Sequence, residues 1–238
     1  MMTELFDYRD GDVPCRGRIA LPEGRGRCPA IAVFADLGGV GEQTIGRAER
    51  LASEFGYIGL AADLYGEGRS VQSIDEGVPL VQSWLAEPDR IVRRAGAALD
   101  ALARHPRCDG RLAAIGFCFG GAVVLELARA NHPDYRAGVS FHGNLATARP
   151  GRAAIEASLL VCHGAEDPFV GQAELKAFLD EMAACRADCQ TIAYTGAAHS
   201  FTNPAIDAVG LAGAFYHGRT DERSWRAMGL HLREAFGN

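Results

Sequence analysis

The chain has 238 residues, 48% of them apolar and 23% charged, which suits one large α/β core and neither a disordered nor a membrane-spanning protein. Its net charge is −6, with arginines scattered rather than gathered into a basic tract, so nucleic acid and anionic lipid find little to hold and a small-molecule ligand is expected. No basic start followed by an apolar core marks the N-terminal residues, and no stretch reaches the length of a membrane span, so the expected location is the cytoplasm.

Seven cysteines are an odd count, and Cys118 and Cys162 lie inside apolar segments. That usage suits a reducing compartment and predicts no structural disulfide. Cys185 and Cys189, and the neighbours Cys162 and His163, lack a second ligand pair, so neither a metal nor a cofactor is expected.

In chain order, residues 13–20 mix polar and apolar positions as an edge strand does, and 22–26 read as a turn. Residues 30–35 form a fully buried strand that enters the glycine-rich loop 36–41 ahead of a helix over 43–55. The loop has neither the dinucleotide glycine spacing nor a Lys-Ser/Thr ending, so it is the weaker match to a phosphate cradle. A loop that supplies an oxyanion amide fits better, with Leu37 as the donor. Strand 57–62 closes with Asp63-Leu64-Tyr65, and a helical pattern then runs to about residue 104, interrupted at Pro79 and Pro88. Trp84 on this stretch fits either a pocket wall or plain packing.

The segment from Leu112 to Ala128 reads as strand, sharp turn and helix, with Cys118 at the corner of Gly116-Phe117-Cys118-Phe119-Gly120. Glycines two before and two after the cysteine let the chain turn tightly and raise the thiol above the sheet. The helix that follows aims free N–H groups at the sulfur and favours its anion, and the Phe119 amide can hold an oxyanion. Further short strands fall at 137–141, 158–162 and 190–194, with helices at 171–184 and 220–236. Alternating strands and helices predict a single α/β domain over 1–238, with a mostly parallel sheet covered on both faces.

Ligands gather at the carboxyl ends of such strands. There stand His163-Gly164-Ala165-Glu166-Asp167 and Gly196-Ala197-Ala198-His199. The order nucleophile, acid, histidine suits a triad of Cys118, Asp167 and His199, in which His199 takes the thiol proton and Asp167 orients its ring. Asp167 also fits a turn or capping role, and His199 a surface loop. His142 and His163 precede glycines at strand ends and can touch the pocket, though no acid or nucleophile is placed to need them. His105, His132, His217 and His231 are expected at solvated positions.

The elbow, Asp63-Leu64-Tyr65, His163 to Asp167 and His199-Ser200-Phe201 together resemble the dienelactone hydrolase family of α/β-hydrolases, from about Gly11 to Phe236. The resemblance implies a carboxylic ester or lactone hydrolase of the carboxymethylenebutenolidase type. Its triad falls on Cys118, Asp167 and His199, and its oxyanion amides fall on Leu37 and Phe119. It also implies a carboxylate hydrogen-bonded to the thiol at Asp36, where the family commonly has the longer glutamate. Asn203 stands where the family places a substrate-binding arginine, and Arg69 is the basic residue nearest a second such position. Trp84, Phe201, Asn203 and Arg69 are the candidate substrate-binding residues, in a monomer or homodimer. The alternatives are a non-catalytic ligand-binding or redox-sensing protein on the same scaffold, and a cysteine-dependent thioesterase or peptidase.

Overall fold

The computed structural model describes residues 3–71 and 73–237. Among them, eight strands build one sheet: β1 (Glu4–Asp10), β2 (Val13–Ala20), β3 (Cys28–Phe34), β4 (Ile58–Ala62), β5 (Cys108–Phe117), β6 (Tyr135–Phe141), β7 (Ser158–Gly164) and β8 (Cys189–Tyr194). Their order across the sheet is β1-β2-β4-β3-β5-β6-β7-β8, antiparallel for β1·β2 and β2·β4 and parallel from there on. The helices are α1 (Glu42–Phe55), α2 (Ile74–Leu85), α3 (Pro88–Ala103), α4 (Phe119–Arg129), α5 (Gln172–Ala184), α6 (Ile206–Val209) and α7 (Gly218–Phe236). None of the helices is long and apolar enough to cross a membrane.

The strands bury both faces, so their apolar residues alternate between two cores. On β5, Leu112 and Ala114 join Leu99 of α3 and Val123 and Leu127 of α4. Ala113, Ile115 and Phe117 join Leu51 of α1 and Trp225, Met228 and Leu232 of α7 on the other face. The parallel strands thereby deliver the ends of β3, β5, β6, β7 and β8 to one rim.

Two expectations are corrected here, and one strand is added. Residues 4–10, not assigned from the sequence, form β1 through a continuous register with β2, with Phe6, Tyr8 and Asp10 on its more buried face. β2 is therefore not an edge strand, since it lies between β1 and β4. Pro79 does not interrupt α2: the helix runs through it from its Ser73 cap, losing one N–H donor in its second turn. Pro88 does start a new helix, as the first residue of α3.

Candidate active site

A single residue, Cys118, separates β5 from α4. It takes φ 52° and ψ −114°, a left-handed conformation that residues with side chains rarely adopt and that its surroundings must hold. Small neighbours make the corner possible. A β-carbon on Gly116 would run into the carbonyl of Gly120, and one on Gly121 into Ser140 Oγ. The Cys118 side chain is partly exposed at the corner. Phe119, as the first residue of α4, keeps an N–H that no carbonyl of its own helix accepts.

The loops after β7 and β8 bring two more groups to this corner. His199 Nε2 lies 3.1 Å from Cys118 Sγ, and its Nδ1 lies 2.8 Å from Asp167 Oδ2. The other Asp167 oxygen accepts the N–H groups of Phe169 at 2.8 Å and Val170 at 3.2 Å, so the loop holds the carboxylate on the side away from the histidine. The backbone of His199 is clamped to the Gly213–Phe215 segment by two hydrogen bonds of 3.2 Å. Burial works against a charged ring at His199, but the Cys118 sulfur and the Asp167 hydrogen bond outweigh it and hold the pKa up to about 10. Held so, the ring can keep a proton that leaves the thiol.

The loop after β3 is pinned from two sides. Tyr65 Oη donates to the Leu37 carbonyl at 2.9 Å, and the Gly38 N–H donates to Asp36 Oδ1 at 2.9 Å. The Tyr65 ring stacks 6.3 Å from that of Phe119, tying the loop to the start of α4. Here the structure corrects the expectation for Asp36. Its second oxygen accepts from Asn203 Nδ2 at 3.2 Å, and among the described residues it makes no hydrogen bond to Cys118. The short side chain closes a turn on its own backbone rather than reaching across to the sulfur. Burial pushes its pKa up, against the hydrogen bonds from Gly38 and Asn203.

The four candidate substrate-binding residues fare unevenly. Trp84 is 1% exposed and packs with Tyr65 and Phe119, and Phe201 is fully buried against His142 and Tyr194. Both are core residues beneath the site, not pocket walls. Arg69 is exposed and paired with Glu76, while Asn203 is engaged by Asp36. The aromatic surface beside the site is instead Phe169, 46% exposed, with its ring 5.1 Å from that of His199 in an edge arrangement.

Sequence reasoning undervalued His142. It is buried at the end of β6 with φ 40°. Its Nδ1 accepts the Cys118 N–H at 3.2 Å, and its Nε2 lies 2.8 Å from Thr202 Oγ1. The Thr202 carbonyl accepts from Arg47, which forms a buried ion pair of 2.7 Å with Asp221 and so joins α1 to α7. The signal was present, since His142 ends a strand and precedes a glycine as His163 does. One histidine expected at a solvated position is buried: His231 has Nε2 3.2 Å from the Ser158 carbonyl.

Comparison with known proteins agrees with the resemblance read from the sequence. The model of the dienelactone hydrolase family matches residues 15–236. The crystal structure of a dienelactone hydrolase-like promiscuous phosphotriesterase from metagenomic libraries superposes with a TM-score of 0.93, at 39% identity over 98% of each chain. An uncharacterised protein of Caenorhabditis elegans is 38% identical over 60% of this chain and 92% of its own length. A carboxymethylenebutenolidase of Pseudomonas sp. (strain P51) is 35% identical over 44% of this chain and 46% of its own.

Proposed function

The chain belongs to the dienelactone hydrolase family, and from that premise we propose that it hydrolyses a carboxylic ester or lactone with Cys118 as the nucleophile. The observation that carries this reading is the unbroken line from Cys118 Sγ to His199 at 3.1 Å and on to Asp167 at 2.8 Å, anchored on a strained corner. The thiolate adds to the substrate carbonyl, and the Leu37 and Phe119 amides hold the oxyanion. As the carbon–oxygen bond breaks, His199 gives its proton to the departing oxygen and a thioester remains on Cys118. Water, deprotonated by His199, then adds to the thioester, and the acid leaves as the thiolate is restored.

The test is a burst of phenol from an activated aryl ester, with the acyl mass recovered on Cys118. A protein that bound the ester, gained stability from it and never turned it over would refute this reading in favour of the binding protein.

Substrate charge follows from the surroundings. A half-buried substrate carboxylate needs a positive partner, usually a bidentate arginine. Here Asn203 is tied to Asp36, and Arg69 is exposed and engaged by Glu76, while Phe169 offers an apolar face. Neutral esters and lactones are therefore expected to exceed carboxylated analogues in kcat/KM by about tenfold or more, the worth of one charge-assisted hydrogen bond. Asn203→Arg is expected to narrow that gap. A carboxylated lactone that proved the better substrate in side-by-side kinetics would overturn this preference.

The metagenomic relative supports a second arm of the same panel. A phosphotriester is also a neutral ester, and attack by the thiolate at phosphorus would expel an alcohol or phenol protonated by His199. An aryl dialkyl phosphate tested beside the aryl carboxylate decides which class is preferred.

A further inference from the structure

We propose that His142 is a positioning residue of this site: by accepting the backbone N–H of Cys118 at its Nδ1, it holds the strained corner where Sγ meets His199 and the Phe119 N–H stays free for an oxyanion. The inference rests on Cys118 being the nucleophile, as proposed above.

The Cys118 N–H is shared between two acceptors, the Phe141 carbonyl at 3.0 Å and His142 Nδ1 at 3.2 Å. The first continues the β5·β6 ladder and is what a strand end ordinarily offers. The second is a side-chain acceptor aimed at a residue that holds a positive φ. His142 itself is held from the next strand over, its N–H donating to the Cys162 carbonyl at 2.8 Å. Two adjacent strand ends therefore carry a residue of positive φ, each fixed by the neighbouring strand.

An acceptor at Nδ1 requires the ring proton on Nε2. That nitrogen faces Thr202 Oγ1 at 2.8 Å. Thr202 is fully buried, and its carbonyl is held by Arg47 at 2.8 Å, itself fixed by Asp221. The Cys118 N–H thus sets the tautomer of His142, while α1 and α7 hold in place the residue whose hydroxyl faces Nε2. The ring has little freedom to turn, with edge contacts to His199 at 5.3 Å and Phe201 at 5.0 Å. Burial, with His199 and Arg47 nearby, keeps it uncharged. A second ring proton would oppose one donor to another at the Cys118 N–H.

Three substitutions separate the acceptor from the packing. In His142→Asn the amide oxygen can occupy the place of Nδ1, in His142→Gln the amide reaches toward the place of Nε2, and His142→Leu supplies neither. Nucleophile misplacement typically costs up to about a hundredfold in rate, so kcat is expected to fall about tenfold to a hundredfold in the Gln and Leu variants, with KM little changed. The Asn variant is expected to stay within about threefold of the parent. Alkylation of Cys118 by iodoacetamide should follow the same order, with similar melting temperatures for the Asn and Gln variants. Equal activity in Asn and Gln, or full kcat in Leu, would overturn the proposal. If the Leu variant does not fold, the Asn and Gln pair decides alone. Cys118→Ala run in parallel keeps the two readings apart: turnover there refutes the nucleophile, whatever the His142 series shows.

Discussion

Cys118 and Cys162 stand near the same rim of the sheet, two strands apart, in equally apolar sequence. Cys162 lies within the straight run of β7, fully buried, with Tyr194 Oη 4.0 Å from its sulfur, and burial pushes its thiol up to about 12. Cys118 lies one residue past the end of β5, partly exposed at positive φ, with His199 3.1 Å away. The side chains are identical. The difference is made by the backbone, which in one case carries the sulfur through the core and in the other turns it out beside the His199 ring at the start of α4.

The strongest way to break this contrast is to delete each sulfur in turn. Cys118→Ala is expected to leave no measurable ester turnover, and Cys162→Ala to keep the parent rate; retained activity in the first would refute the mechanism. Next come the groups that only Cys118 possesses. His199→Gln and Asp167→Asn are each expected to cost on the order of 10²–10⁴ in kcat/KM, the usual worth of general acid–base catalysis. Circular dichroism should show the fold kept, because both residues sit on loops.

A finer test reads the charge on His199. Removing the Cys118 sulfur takes away one of the interactions that hold this ring's pKa up to about 10, so a titration of its ring protons by NMR should move to lower pH in Cys118→Ala. The sign for stability follows. A histidine whose folded pKa is raised contributes fully below its unfolded value of about 6.5, and its contribution is lost as pH rises through about 10. Urea unfolding of the parent protein at both ends of that window checks this, and greater His199-dependent stability at the alkaline end would contradict it. The smallest expected effect belongs to the inert partner. Cys162→Ala should lower stability by about 1–2 kcal/mol through the small void it leaves, without changing the rate of Cys118 alkylation.

What could be read in the sequence divides along physical lines. The corner and the placement of Asp167 and His199 beside it were legible because each depends on local chemistry: glycines that a tight turn demands, and loops directly after apolar strands. β1 was not, because its alternation of Phe6 and Tyr8 with Asp7 and Arg9 is short and set among charged residues, and the strand exists by pairing with β2. Trp84 and Phe201 were read as candidates for the pocket because an aromatic near a motif looks the same whether it faces solvent or core; packing around Tyr65, Phe119 and His142 decides it. Asp36 was assigned to the thiol through its family position, and its shorter side chain and the proximity of Asn203 redirect it. His142 needed contacts with Cys118 and Thr202, 24 and 60 residues away.

Those separations also set a timetable for the nascent chain. His142 follows Cys118 by 24 residues and His199 follows it by 81. At ribosomal speeds of about 5–20 residues per second, His142 is made roughly 1–5 s after Cys118 and His199 roughly 4–16 s after it. The β5·β6 ladder beside the corner can therefore form while the chain is still growing, but Cys118 meets His199 only after β8 has been made. A translation product stalled in that interval would hold Cys118 and His142 but lack His199, Thr202 and α7, the groups that complete their surroundings.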